Sequence, residues 1–571
     1  MYDNLLLSLQ RVFHSIRFKV NKVGVRRYSF FYCFFGHTPY LLYLCRNIIN
    51  TVFLMKKLFL VLLAMMLAIP MSAQRAKSFA NPVIPGYHPD PSVCRVGDDF
   101  YLVNSSFMCF PGVPIYHSRD LVNWEQVGNV LTRESQLPLK GATSWQGIYA
   151  PTLRYHDGLW YMITTNVGNG GNFMVTAKKP EGPWSEPIWL KQDGIDPSLF
   201  WENGKCYMMS NPGDCIWLCE INPKTGKQLT ESRPLWRGTG GRYPEGPHIY
   251  KKDGWYYLLI SEGGTELAHR LTIARSRDIY GPYEANPDNP ILTNCNVKGQ
   301  TKQVQGTGHG DFVQAPDGSW WIVFLAYRHM NGSYHHLGRE TYLAPVEWKE
   351  GEWPVVNGGE PIDTLMKATT LPLKPFAAKA RQQHKKIDLK SPEWVHLQNP
   401  IVSNYEQKDG KLRLFGAGSL TENNRPTFVG RRQESARMTV ETEVEISNYK
   451  PGQTAGLSLY QINDGHMDFF VARHGDHYVV RLHAKLKSME DDQMYVIGNH
   501  NKVKLRIVAD EQRYRFDYSF DGVSWQTLTS HDCMLLSTEV AGGFTGVIVG
   551  MYATQGRDPG SFADFNYFDC Y

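Results

Sequence analysis

Cysteine is scarce in this chain, with 10 residues among 571. The cysteines form no CxxC pair and follow no histidine-spaced zinc pattern, so neither a dense disulfide framework nor a zinc module is expected. Charged residues are also few, at 20%. Long hydrophobic runs are lacking too: the apolar run over residues 58–71 has 14 residues, too few to cross a bilayer as a stable helix. No cysteine pairing and no spanning helix is predicted.

Glycine, proline and aromatic residues are abundant instead. The chain contains 51 Gly and 33 Pro, and 13% of its residues are aromatic. This mixture favours many short strands joined by tight turns over long helices. The length fits two to four domains. The sequence therefore predicts an all-β protein of more than one domain.

The positive formal charge of +5 originates at the amino terminus. Residues 1–54 carry seven basic side chains against one acid and show no domain-like pattern, and we interpret them as lying upstream of a true start at Met55. Residues 55–73 resemble a signal peptide, with two lysines, the apolar run and a small-residue cleavage site. The alternative is a membrane segment within 28–54. We expect the mature protein to be secreted or periplasmic and free of the membrane.

Removal of residues 1–73 changes the charge balance. It takes away nine of the 60 basic and one of the 55 acidic residues, leaving 51 and 54. A slightly acidic protein without basic patches is not expected to bind nucleic acid.

A repeat organises the first half of the mature chain. Five segments share a glycine turn followed by an aromatic-rich strand, at 97–101, 158–161, 204–207, 254–257 and 318–321. The first residues of the preceding strands, found by counting back across each hairpin, are spaced by 60, 46, 49 and 64 residues, which suits four-stranded propeller blades. Residues 80–365 are therefore predicted to form a five-bladed β-propeller. Counting back across each hairpin places five residues at the starts of the inner strands: Asp90, Ala150, Asp196, Glu245 and His309.

A linker and a second domain follow. The repeat ends in a Pro- and Lys-containing stretch, which predicts a linker over 366–386. Residues 387–571 contain many short strands with alternating apolar and polar residues, for example 438–446 and 503–507. This period-two pattern predicts a β-sandwich.

Three of the five inner-strand residues are carboxylic acids. One acid at a strand start is explained by turn capping, but Asp90, Asp196 and Glu245 are expected to converge at one end of a channel. Hydrolysis of a glycosidic bond needs one acid to protonate the leaving oxygen and one carboxylate to activate water or to attack the sugar. A third acid can tune the pair, so we predict a glycosidase site here.

The motifs around these acids resemble the family 43 glycoside hydrolases. The motifs are His88-Pro-Asp90-Pro-Ser92, Gly194-Ile-Asp196-Pro-Ser198, Tyr243-Pro-Glu245-Gly-Pro247 and His336-Leu-Gly-Arg339-Glu-Thr341. The last of them is similar to the β-xylosidases and α-L-arabinofuranosidases that carry a lectin-like, concanavalin-like sandwich behind the propeller. This resemblance covers residues 80–571.

The resemblance implies roles for individual residues. Asp90 would be the general base, Glu245 the general acid, Asp196 the residue that tunes the acid, and Arg339 a sugar-binding cation. His309 would hold a water or a structural calcium ion in the channel, and no cofactor would be needed for catalysis. As sugar contacts we propose four aromatic side chains: Phe110, Trp145, Tyr149 and Phe544.

The expected substrates are hemicellulose-derived oligosaccharides, from which terminal pentoses are removed with inversion. Tyr149 and Met108-Cys109 depart from the family pattern, so the choice between xylose and arabinose stays open. The alternatives are a carbohydrate-binding propeller without activity, a scaffold of the WD type and a retaining hydrolase. The WD type lacks support because no Trp-Asp pair ends a blade, and the retaining class has a different first-strand motif. The adjacent His335 and His336 face opposite ways on a strand and are not expected to share a metal.

Overall fold

The computed structural model describes residues 78–295, 303–330, 332–366, 373–377, 383–554 and 560–571. The predictions for 1–54 and 55–73, and most of the predicted linker 366–386, lie outside these residues. Within the described ranges the helical segments are the α-helix Thr538–Ala541 and the 3-10 turns Asn357–Gly359, Val402–Asn404 and Cys533–Leu536. None of the described helices is long and apolar enough to cross a membrane. The all-β prediction is confirmed.

Five antiparallel sheets form the blades of a propeller. Blade 1 comprises Ser92–Val96, Asp99–Val103, Gly112–Ser118 and Trp124–Leu131. In blade 2 the inner strand is split into Gly147–Ile148 and Thr152–His156, and Leu159–Val167, Gly171–Ala177 and Ile188–Trp189 follow. Blade 3 comprises Ile195–Glu202, Lys205–Asn211, Ile216–Ile221 and Arg233–Trp236. Blade 4 comprises Glu245–Lys252, Trp255–Glu262, Arg270–Ser276 and Glu284–Ala285, and blade 5 comprises Val304–Gln314, Trp320–Arg328, Glu340–Glu347 and Val355–Val356.

The turn residues of the repeat explain the first hairpin of three blades. Asp157-Gly158 joins the first two strands of blade 2 with φ angles of 48° and 78°. Asn203-Gly204 and Asp253-Gly254 do the same in blades 3 and 4, again with positive φ at both positions. Two consecutive left-handed residues make the tight turn that matches the twist of the flanking strands. In these three blades the glycine turn therefore fixes where the inner strand ends and the second strand begins.

The repeated aromatic residues pack between blades. Tyr101 of blade 1 meets Trp160 of blade 2 edge-on at 4.8 Å, and Phe200 of blade 3 meets Tyr256 of blade 4 at 6.3 Å. Outside the blades, Phe79–Ala80 pairs with Leu365–Met366. These strands join the two ends of the propeller.

The second domain is a β-sandwich. Its seven-stranded sheet has the order Tyr405–Lys408, Lys411–Leu414, Phe562–Cys570, Arg437–Ser447, Lys502–Asp510, Arg513–Ser519, Gln526–Asp532. Its six-stranded sheet has the order Thr427–Arg432, Ile548–Thr554, Thr454–Ile462, Gly465–His474, His477–Leu486, Met489–Gly498. Alternate side chains of both sheets fill the core between them. The eight cysteines of the described residues are all free.

Many contacts join sandwich and propeller, and two of them position the site. Strand Cys109–Phe110 of the propeller pairs with His396–Leu397, which leads into the sandwich. The loop 542–547 of the sandwich lies on residues 335–339 of blade 5, where the backbone NH of Val547 donates to the carbonyl oxygen of His336 at 3.0 Å. The second contact brings the sandwich to the end of the channel that holds the three acids.

Candidate active site

A left-handed residue occurs at the same position in four inner strands. Asp90, Asp196, Gly246 and His309 have φ angles of 53°, 55°, 59° and 46°. Each lies four residues before a residue that pairs with the second strand of its blade. The prediction that Glu245 is the blade 4 equivalent of Asp90 was wrong by one residue. Blades 3 and 4 have the same register shift, between Ile195 and Ser198 and between Glu245 and His248, so Gly246 aligns with Asp196 and Glu245 lies one residue earlier.

Gly246 makes room for His309. A Cβ atom on Gly246 would lie 3.0 Å from the imidazole ring of His309, and its positive φ further favours glycine. The backbone NH of Gly246 donates to Oδ2 of Asp196 at 3.3 Å. Asp196 is thereby fixed beside the residue that precedes Gly246, which is Glu245.

Asp90 is buried and firmly held. Its Oδ2 accepts a hydrogen bond of 2.5 Å from the Ser105 hydroxyl, and its Oδ1 accepts one of 2.9 Å from Nη1 of Arg339. Burial alone would raise the pKa of Asp90, but Arg339, His309 and Ser105 outweigh it and hold the pKa below its usual value. Asp90 is therefore a carboxylate at neutral pH.

Asp196 has the opposite electrostatic environment. Burial raises its pKa well above the usual value, and the charges of Glu245 and Asp90 add to the rise. Nδ1 of His309 lies 3.9 Å from Asp90 and 4.0 Å from Asp196, so the imidazole separates the two aspartates. Burial lowers the pKa of His309. The environment of Asp196 thus favours its protonated form, whereas the environment of Asp90 favours its ionised form.

Glu245 is the most accessible of the three acids. Its side chain is 17% exposed, compared with 7% for Asp90 and 6% for Asp196. Nε2 of His269 lies 3.6 Å from Oε1 of Glu245. The ring of His269 is itself fixed by Ser261 at 2.7 Å and by the carbonyl oxygen of Gly306 at 3.0 Å. The sequence patterns did not point to His269, because it lies outside the repeated inner-strand positions.

An aromatic wall surrounds Arg339. The rings of Phe107 and Tyr149 lie 5.2 Å apart, and Phe544 of the sandwich lies 5.2 Å from Phe107. The guanidinium of Arg339 lies 5.7 Å from the Phe107 ring and 5.3 Å from the Phe544 ring. Its Nε donates to the carbonyl oxygen of Phe544 at 3.2 Å. Together with the acids these groups line a cavity of about 230 Å³.

The predicted site residues divide into two groups. The structure brings Asp90, Asp196, Glu245, Tyr149, His309, Arg339 and Phe544 to one cavity. Phe110 does not line it, and that prediction was wrong: its backbone pairs with His396 and its ring packs against the core between propeller and sandwich. Trp145 is 44% exposed and lies next to Gly543, outside the cavity lining. Phe107, three residues before Phe110, takes the place predicted for it.

Five blades, a concanavalin-like sandwich and three acids around one small cavity define a glycoside hydrolase. The family model for glycosyl hydrolases family 43 matches residues 79–354. The model for the β-xylosidase C-terminal concanavalin A-like domain matches residues 388–570. The chain belongs to glycoside hydrolase family 43.

Curated relatives and solved structures cover nearly the whole described chain. A non-reducing end α-L-arabinofuranosidase of Bacteroides ovatus is 40% identical over 90% of this chain and 98% of its own length. A xylosidase/arabinosidase of Butyrivibrio fibrisolvens is 38% identical over 86% and 98%. A solved xylan β-1,4-xylosidase from Bacillus halodurans has a TM-score of 0.81 at 35% identity and covers 86% of this chain and 99% of that one.

Proposed function

We propose that this protein is a secreted, inverting exo-glycosidase that removes single terminal pentoses from hemicellulose-derived oligosaccharides. The bonds cut would be those of non-reducing β-D-xylose, of α-L-arabinofuranose, or of both, in xylan, arabinoxylan or xyloglucan side chains. The observation that supports this most is the contrast between two buried aspartates of one cavity, Asp90 with a lowered pKa and Asp196 with a raised pKa. The names of the relatives support both sugars.

Asp90 is proposed as the general base. A base must be ionised before reaction, and Arg339 and Ser105 favour that form. These two hydrogen bonds also fix the plane of the carboxylate, so a water on the sugar side can give its proton to Asp90 while its oxygen attacks the anomeric carbon. Inversion follows because the water enters on the face opposite the leaving group. We expect the carboxyl groups of Asp90 and Glu245 to be about 6.5–9.5 Å apart.

Glu245 is proposed as the general acid and Asp196 as its positioning residue. Glu245 has the accessible side chain, which suits contact with the leaving oxygen. Asp196 is buried behind it and is held by Gly246. Two close carboxyl groups cannot both ionise easily, so the pair retains a proton near neutral pH and can deliver it to the departing sugar.

Arg339, Phe107 and Phe544 are proposed to select a terminal pentose. The guanidinium offers a planar set of donors to sugar hydroxyls. A cavity of about 230 Å³ closed on one side by the sandwich suits one small sugar better than a chain passing through. The hydroxymethyl group of a hexose would meet this wall.

His309 is proposed to hold water or a hydrated calcium ion, since one ring nitrogen cannot replace the six to eight oxygen ligands of calcium. Such an ion would add positive charge beside Asp90 and Asp196.

Paired substrates test the proposal. Nitrophenyl β-D-xyloside and α-L-arabinofuranoside are hydrolysed side by side by the wild type and by Asp90→Asn, which keeps the size of the side chain but cannot act as base. We expect activity on at least one substrate and a loss of about 10³-fold or more in kcat for the variant. Proton NMR of the first-formed sugar should show the inverted anomer. Sugar binding without hydrolysis would favour the carbohydrate-binding alternative, and a retained anomer would contradict the inverting mechanism.

A further inference from the structure

A second group of chemically active side chains lies beside the acid cavity. The larger cavity next to it, of about 850 Å³, shares Arg339 and Phe544 with the active site. On its far side are His329 and His335, from the loop between the second and third strands of blade 5, and Glu539, from the helix Thr538–Ala541 of the sandwich. The glycosidase mechanism proposed above uses none of these three residues.

The three side chains converge on one point. One ligand-type atom from each, two imidazole nitrogens and a carboxylate oxygen, lie within 4.8 Å of one another. Nδ1 of His335 is 2.6 Å from Oε1 of Glu539, and the backbone NH of His335 donates to Oε2 at 3.1 Å. The ring of His335 is stacked on Tyr327 at 3.9 Å, which fixes its orientation. Two hydrogen bonds and one stacking contact therefore fix His335 and Glu539 more firmly than the single contact of an exposed ion pair.

We propose that His329, His335 and Glu539 form a binding site for a divalent transition metal of the zinc type. Two imidazoles and one carboxylate are a ligand set found in zinc sites that keep a fourth position open, and imidazole favours zinc over calcium or magnesium. The adjoining cavity gives the ion an entry path and room for a water at the fourth position. Binding replaces the hydrogen bond between His335 and Glu539 by bonds from both side chains to the ion, and where Nδ1 of a neutral His335 is the ligand atom its proton moves to Nε2.

The position of the site gives it a structural consequence. Two ligands belong to the propeller and the third to the sandwich, so a bound ion links the two domains next to the loop that carries Phe544. His336, the other member of the adjacent pair, faces away and packs against Tyr514 at 5.9 Å. Of the two adjacent histidines, His335 therefore belongs to the proposed metal site and His336 does not.

Cobalt provides a direct test, because Co²⁺ replaces zinc and absorbs visible light when bound. Full-length protein without a histidine tag is treated with chelator and titrated with Co²⁺ and then with Zn²⁺. We expect His329→Gln and Glu539→Gln to bind one equivalent less than the wild type, or to bind at least about tenfold more weakly. His500→Gln, at an exposed histidine stacked on Phe520, is the matched control and should bind like the wild type.

Thermal unfolding gives a second readout that does not depend on activity. Zn²⁺ should raise the unfolding temperature of the wild type and of His500→Gln, and should leave both ligand variants unchanged. Equal metal uptake and equal thermal shifts in all four proteins would overturn the proposal, as would no uptake by the wild type. Neither result would bear on the glycosidase function, since the three acids lie outside the metal set.

Discussion

Arg339 and, to a smaller extent, Ser105 keep Asp90 ionised, and Ser105 does so without lining the acid cavity. Its hydrogen bond stabilises the carboxylate and lowers its pKa. In Ser105→Ala that pKa rises, so Asp90 becomes protonated at a higher pH as the solution is acidified. We expect the acid limb of the kcat/KM profile to move to higher pH, with a loss of about tenfold or less at neutral pH. Ser185→Ala, remote in blade 2, should leave the profile in place; an unmoved limb in Ser105→Ala would contradict the role of Asp90 as base.

Asp196 should control the basic limb. Asp196→Asn keeps an oxygen for the Gly246 NH but removes the carboxyl that, with its raised pKa, holds a proton beside Glu245. Without that carboxyl the site retains a proton less readily, so the basic limb should move to lower pH and kcat should fall. Full pH–rate profiles of the two proteins measure this. A profile unchanged in shape and height would make Asp196 a purely structural residue.

The same substitution should stabilise the fold at high pH. The folded-state pKa of Asp196 is raised above its ordinary value of 3.8. The fold favours the protonated carboxyl, so this contribution to the free energy of unfolding is complete below about pH 3.8. It is lost as the pH rises toward the folded-state pKa. Asn carries no charge at any pH, so Asp196→Asn should gain unfolding temperature over the wild type as pH rises above about 4. Asp157→Asn, at the turn of blade 2 where the side chain is 88% exposed, is the control and should show no such gain. A constant difference across pH would contradict the raised pKa of Asp196.

The loop 542–547 is the element on which the pocket wall depends. A Cβ atom on Gly546 would lie 2.3 Å from the carbonyl oxygen of Leu337, so the loop can contact blade 5 only with glycine at this position. In Gly546→Ala the loop should shift and move Phe544 away from Arg339. We expect KM to rise by about tenfold, similar to Phe544→Ala, with a smaller change in kcat. Gly213→Ala meets no atom within 4 Å and should keep wild-type kinetics; unchanged kinetics in Gly546→Ala would argue against the wall.

Element periodicity explains which site residues the sequence could predict. The glycine turns fix the hairpins, and counting back from them correctly placed Asp90, Asp196 and His309 at one end of the channel. The count was off by one for Glu245, which lies one residue before the place that Asp196 takes in blade 3, and no turn signal marks that offset. Phe110 was misplaced for a different reason. Its loop is pulled into pairing with His396, a contact between distant segments that local patterns cannot show.

At the scale of the whole molecule the pocket predicts the product pattern. The sandwich closes one side of the acid cavity through Phe544, so a polymer cannot lie across both sides of the acids. Digestion of xylan or arabinoxylan oligosaccharides, followed by chromatography over time, should release single pentoses from the first minutes. Long oligomers as first products would contradict the closed pocket.

The contact between Arg339 and the carbonyl oxygen of Phe544 also limits how freely the two domains can be exchanged. A sandwich taken from another family member would bring its own equivalent of segment 542–547 against Gly338 and Arg339. There is little room for it, because a Cβ atom on Gly338 would lie 2.8 Å from Cα of Gly546. Successful chimeras would therefore have to transplant residues 335–339 together with the sandwich. The two halves of this enzyme are separate in sequence but not modular, because each supplies residues that line the acid cavity.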